Sequence, residues 1–138
     1  LGQKEAGLTK TAGYEIGVRR TLDLPIDKAW DYVFGGAGLA RWLGNVVQGA
    51  FAPGHGFLLD DGTEGRVTVW TQLSHIRLQW RKQGWENTSI VQVRILTAAG
   101  NKTTVSFHQE KLADANQRAQ MKAYWQEKIN NLLEGLKK

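Results

Sequence analysis

The chain has 138 residues, no cysteine, six tryptophans and a formal net charge of +5. The length suits one domain with a sizeable core. The missing thiols exclude a disulfide framework, cysteine-ligated zinc, an iron–sulfur centre and a cysteine nucleophile. Hydrophobic residues at 41% and charged residues at 22% fit an ordinary soluble domain. No apolar run approaches the ~18 residues that span a bilayer. A reducing, cytoplasmic setting is expected.

Residues 1–13 mix Gly, Lys, Thr and Ala without an apolar period and read as a flexible tail, leaving 14–138 as a single domain. The chain opens on Leu1 rather than Met, so an upstream segment is compatible with it. From Tyr14 the pattern alternates, with Tyr14, Ile16, Val18, Arg20 and Leu22 on one face of a strand. Pro25 suits a first helical position. Ile26, Ala29, Trp30, Val33 and Phe34 then form an amphipathic stripe. Gly35, Gly36 and Gly38 end it, and Leu39, Ala40, Trp42 and Leu43 suggest a second short helix. Nine of the sixteen glycines lie between 35 and 65, so that region is rich in loops, with short strands near 46–51 and 56–59. Asp61-Gly62 turns the chain into a strand over 65–71. Further strands are predicted over 75–82, 88–97 and 102–110. Asp114, with Gln117 three residues on, marks a helix start. Met121, Trp125, Ile129, Leu132 and Leu136 carry that helix from about 115 to 136. One strand, two short helices, a run of strands and a long helix make an α+β fold, an antiparallel sheet of about seven strands with the last helix across its apolar face.

Alternation assigns the faces. Ile76, Leu78 and Trp80 point one way, as do Val67, Val69, Val91, Val93, Ile95, Val105 and Phe107. Arg66, Trp70, Arg77, Arg81 and Arg94 point the other way. Residues 66–102 carry six basic side chains against Glu86 alone, so the charge excess belongs to the strands' outer face. One aromatic among arginines is a poor platform for stacking bases, and no nucleic-acid partner is expected. The inner face gathers Leu39, Trp42, Phe57, Leu78, Trp80, Phe107, Met121 and Trp125. They form either a filled core or the lining of an apolar cavity, and periodicity does not separate the two.

Catalytic signatures are sparse. His55, His75 and His108 are scattered, there is no His-Glu-x-x-His and no Gly-x-Ser-x-Gly, and Gly36-Ala37-Gly38 lacks the context of a dinucleotide loop. No catalytic residue, metal or cofactor is assigned. Tyr124, near the inner stripe of the long helix, is the only fair candidate for cavity acid–base chemistry.

The segment Arg20-Thr21-Leu22-Asp23-Leu24-Pro25-Ile26-Asp27-Lys28-Ala29-Trp30 resembles the first strand and helix of the START-like (SRPBCC) superfamily. Leu39-Ala40-Arg41-Trp42, Gly54-His55-Gly56-Phe57, Asp61-Gly62 with Glu64-Gly65-Arg66-Val67, Leu78-Gln79-Trp80 and Lys102-Thr103-Thr104-Val105 follow in that family's order. Over about 14–137 the chain is most similar to the bacterial activator of heat-shock-protein-90 ATPase homologue group. The resemblance implies the helix-grip fold, a curved antiparallel sheet wrapped around the long C-terminal helix and closed at one end by two short helices. It also implies a tendency to hold small apolar molecules between sheet and helix. The function expected is therefore a non-catalytic domain binding a small hydrophobic ligand in that cavity, with Leu39, Trp42, Phe57, Leu78, Trp80, Phe107, Met121 and Trp125 as its lining. The alternatives are a co-chaperone-like protein-interaction module using Arg66, Trp70, Arg77, Arg81 and Arg94, and a cyclase-like or hydrolase-like enzyme.

Overall fold

A computed structural model describes residues 8–9 and 13–137, with side chains from 13 onward. Strands β1 (Leu8–Thr9) and β2 (Gly13–Leu22) lead into helices α1 (Ile26–Phe34) and α2 (Gly36–Trp42). Six strands follow, β3 (Val46–Gly49), β4 (Gly56–Leu59), β5 (Glu64–Thr71), β6 (His75–Arg81), β7 (Ser89–Ala98) and β8 (Lys102–Leu112), and α3 (Ala115–Leu136) closes the chain. The strands form one antiparallel sheet in the order β1-β2-β8-β7-β6-β5-β4-β3. This is the expected α+β helix-grip arrangement. The eighth strand is the two-residue β1, which pairs Leu8 with Tyr14 and Thr9 with Gly13. The rest of the tail expected at 1–13 lies outside the described residues.

Local chemistry explains the element boundaries. Pro25 sits one place earlier than expected, as the residue capping α1, and its carbonyl accepts from Ala29 N at 2.9 Å. Ala29, Trp30, Val33 and Phe34 bury one side of that helix. Gly38 lets α2 fold back onto α1, because a Cβ there would overlap the Tyr32 carbonyl. The α3 start is capped from both sides, Gln117 N donating to Asp114 Oδ1 at 2.8 Å and Gln117 Oε1 accepting from Ala113 N at 2.9 Å. Met121, Trp125, Ile129 and Leu132 then press one stripe of α3 onto the sheet.

Three expectations about faces and boundaries are corrected. Strand β3 stops at Gly49, which has φ +77°, so Phe51 lies on an irregular connection rather than in a strand. The second correction concerns Trp70. Val67 pairs with Leu78, but Val69 pairs with Arg77 and Trp70 with Ile76, so Thr68 is an extra residue in β5. Beyond this bulge every side chain changes face. Val69 is displayed beside Arg77, and Trp70 turns inward, 6.0 Å from the Trp30 ring and 5.9 Å from Phe51. Trp70 therefore leaves the set of outer-face residues. Arg20, expected with the inner set, is exposed, and its Nη1 donates to Arg19 O at 2.8 Å.

Candidate functional site

The inner residues meet under α3. Trp42, Leu78, Trp80, Phe107, Met121 and Trp125 are fully buried, Phe57 is nearly so, and Leu39 is half-buried at the edge. Phe107 stacks on Trp125 at 5.2 Å with 13° between the rings. Trp42 stands 5.4 Å from Phe107, and Trp80 stands 5.7 Å from Trp125. Phe51 closes the group, its ring 5.9 Å from both Trp42 and Phe57. The aromatics thus fill the space between sheet and helix with one another, as a densely packed interior does.

Their polar atoms are satisfied internally. Trp42 Nε1 donates to Val33 O at 2.7 Å. Trp125 Nε1 donates to Gln109 Oε1 at 2.7 Å, Gln109 Nε2 to Ser89 Oγ at 2.8 Å, and Ser89 Oγ to Trp80 O at 2.6 Å. Gln109 and Ser89 occupy inward positions of β8 and β7. The apolar alternation does not single them out, although a polar residue at an inward register position is the signal that finds them. Among the described residues the fully buried polar side chains are Thr63, Ser89, Thr103 and Gln109, none of which is an acid or base near neutral pH. Tyr124 stands at the rim, 5.8 Å from the Trp80 ring, with the Lys82 and Lys128 ammonium groups 5.0 and 5.1 Å from its own ring. Burial foremost, with Asp61 and Glu127 nearby, pushes its phenol up to about 12. It stays protonated and is no general base at neutral pH.

The histidines remain apart. His55 Nδ1 lies 3.0 Å from Pro53 O, His75 Nδ1 2.8 Å from Ser74 Oγ, and His108 Nε2 3.2 Å from Glu15 Oε1. Among the described residues no group of three His, Cys, Asp or Glu is placed to hold a metal ion. No described helix is long and apolar enough to cross a membrane.

The outer face carries the arginines. His75 pairs with Arg94 and Arg77 with Gln92 across β6 and β7. Partial burial first, then the Arg94 and Arg77 charges, hold the His75 imidazole below its ordinary pKa. Arg77 is neutralised by Glu110, Nη2 to Oε1 at 2.7 Å. Arg66 and Arg81 are held differently. Arg66 Nη1 donates to Gly54 O at 2.8 Å, and Arg81 Nε donates to Trp85 O at 2.6 Å. Among the described residues the only carboxylate within 4.0 Å of either guanidinium is that of Glu64, 3.6 Å from Arg81 Nη1. Both arginines line a cavity of about 740 Å³ that opens on this face across β3 to β6. Gly49 and Gly56 supply bare backbone within it, a Cβ on Gly56 coming within 3.2 Å of Arg66 Nη2. A smaller cavity of about 320 Å³ opens beside Gly17, Arg19 and Ser106.

A curved antiparallel sheet gripping a long terminal helix defines a START-like domain. The family model described as Activator of Hsp90 ATPase homolog 1-like protein matches residues 23–137, and the chain belongs to that family. Among solved structures, CalU16 from Micromonospora echinospora superposes with a TM-score of 0.77 at 18% identity, over 88% of this chain and 73% of that one. DynU16 from the dynemicin biosynthetic locus gives a TM-score of 0.77 at 20% identity, over 89% of this chain and only 47% of its own. PFC0360w from Plasmodium falciparum, described as an HSP90 activator, gives 0.74 at 18% identity, over 88% of this chain and 95% of that one. At such identities these likenesses establish the fold. No curated protein is significantly similar to the chain.

Proposed function

We infer that the chain is a non-catalytic, co-chaperone-like interaction domain that binds an acidic surface of a protein partner through the outer face of its sheet. The observation that carries this reading is the contrast between the two faces. Inside, Trp42, Trp80, Phe107 and Trp125 occupy the space in which an apolar ligand would sit. Outside, Arg66 and Arg81 line an open cavity and Arg94 lies free of any ion pair among the described residues. Family membership and the HSP90 activator among the structural neighbours favour a chaperone ATPase as the partner. Complementary charge on such a face speeds encounter and sets orientation. The reading in which a small apolar molecule lies between sheet and helix requires the stacked rings to separate first.

The test is a titration of the fluorescently labelled chain with an Hsp90-class ATPase, with wild type compared against Arg81→Glu/Arg94→Glu. Saturable binding that weakens with salt and is lost in the double variant is expected. Binding that the charge reversal leaves unchanged would overturn the reading.

A further inference from the structure

We propose that the cavity across β3 to β6 is a docking groove for an extended acidic segment of a partner protein, whose carboxylates bind between Arg66 and Arg81. The proposal rests on the interaction-domain reading above and gives that reading a site. Arg66 pairs with Gln79 and Arg81 with Glu64, so the two arginines are diagonal neighbours on one face of adjacent strands. Such neighbours are separated by roughly 7–8 Å, within reach of one carboxylate group for side chains this long. Each guanidinium is steadied by a single backbone carbonyl, Gly54 O for Arg66 and Trp85 O for Arg81. A guanidinium has five N–H donors, so most of each fork stays open toward the groove. A carbonyl fixes the side chain without cancelling its charge; among the described residues Arg66 has no ion pair and Arg81 meets only the exposed Glu64 at 3.6 Å, whereas Glu110 already answers Arg77 at 2.7 Å. Groups held in place before binding lose less freedom on complex formation.

The groove walls suit a peptide. Gln48, Gln79 and Thr88 add side-chain hydrogen-bonding groups to the lining, and Gly56 lets the Arg66 guanidinium lie over the strand, since a Cβ there would come within 3.2 Å of Nη2. At about 740 Å³ the space takes several residues of extended chain rather than a single ion. Among the described residues that line the groove, Glu64 is the one opposing charge. Its side chain is 64% exposed and its carboxylate lies 3.6 Å from Arg81, so it competes with an incoming acid for the same donors.

The experiment uses a capped hexaglutamate peptide as the probe, a capped hexaglutamine as control and inorganic phosphate as the small-anion arm, read by backbone amide shifts. Hexaglutamate is expected to bind wild type and shift amides at 48–58, 64–66 and 79–81. Arg66→Ala or Arg81→Ala should each weaken it by about ten-fold or more, the scale of a lost charged hydrogen bond. Glu64→Gln should tighten it by about two- to five-fold, an outcome that no loss of folding can imitate. The proposal is overturned if shifts cluster at Arg94 and His75 instead, if Glu64→Gln weakens binding, or if phosphate alone binds as tightly as the peptide. Each of those results leaves the interaction-domain reading standing when the chaperone still binds. Absence of both peptide and chaperone binding overturns the two together.

Discussion

Replacing Gln109 by Leu probes how the aromatic interior is held. The Gln109 amide is fully buried and accepts from Trp125 Nε1 at 2.7 Å while donating to Ser89 Oγ at 2.8 Å. In Gln109→Leu the indole N–H of Trp125, itself 1% exposed, loses its acceptor with no water to replace it. A buried donor left unpaired costs about 1–3 kcal/mol. Ser89 suffers less, since its hydroxyl still donates to Trp80 O at 2.6 Å. The relief of burying an apolar side chain instead of an amide offsets part of the loss. A net destabilisation of about 2 kcal/mol is expected, equivalent to a fall of roughly 6–10 °C in Tm for a domain this size. Urea unfolding followed by tryptophan fluorescence measures it. The double variant Gln109→Leu/Trp125→Phe removes donor and acceptor together, so its cost should fall short of the two single costs by about 1 kcal/mol. A Gln109→Leu loss below about 0.5 kcal/mol, or additivity in the double variant, would mean that the Gln109–Trp125 bond does not hold the interior.

Other expectations follow from close approach and from ionisation. Gly38→Ala drives a Cβ into the Tyr32 carbonyl, so α1 and α2 must part, and thermal melts should show a loss of about 1–3 kcal/mol. Gly17→Ala, whose Cβ meets only ordinary contacts at 3.7 Å or beyond, should leave the melt within about 0.5 kcal/mol of wild type. The Tyr124 phenol has a pKa raised from 10.0 to about 12, so the folded state favours its neutral form. Its contribution is full below pH 10 and is lost as the pH rises toward about 12. Between about pH 9 and about pH 11.5, wild type should lose about 1–2 kcal/mol more stability than Tyr124→Phe, after screening at the partly open rim. Parallel loss in the two proteins would contradict the assignment.

Much of the fold was legible because its signals are local and repeated. Helix α3 is marked by Asp114 at one end and by Met121, Trp125, Ile129 and Leu132 at helical spacing along its length. The outward arginines of β6 and β7 follow from alternation in strands whose registers run without a shift. Alternation alone places Trp70 on the wrong face, because counting by twos does not register an inserted residue and the bulge at Thr68 inverts the faces of the strand residues after it. Filled and hollow interiors were equally compatible with the pattern, since periodicity gives a side chain's face but not the volume left between rings. The groove was hidden for a related reason. Its shape owes much to Gly49 and Gly56, which carry no side chain to read, and the posture of Arg66 and Arg81 depends on the carbonyls of Gly54 and Trp85. Neither arginine differs from Arg77 in the alternating pattern, yet only Arg77 lies against a carboxylate as close as 2.7 Å.

A partner that meets the outer face while the aromatic interior stays closed leaves a distinct footprint in hydrogen exchange of the chain, measured alone and with an Hsp90-class ATPase. The expected result is new protection over 54–66 and 79–81, with α3 unchanged. Protection or loosening confined to α3 and to the backbone around Trp42 and Phe107 would contradict binding at the outer face.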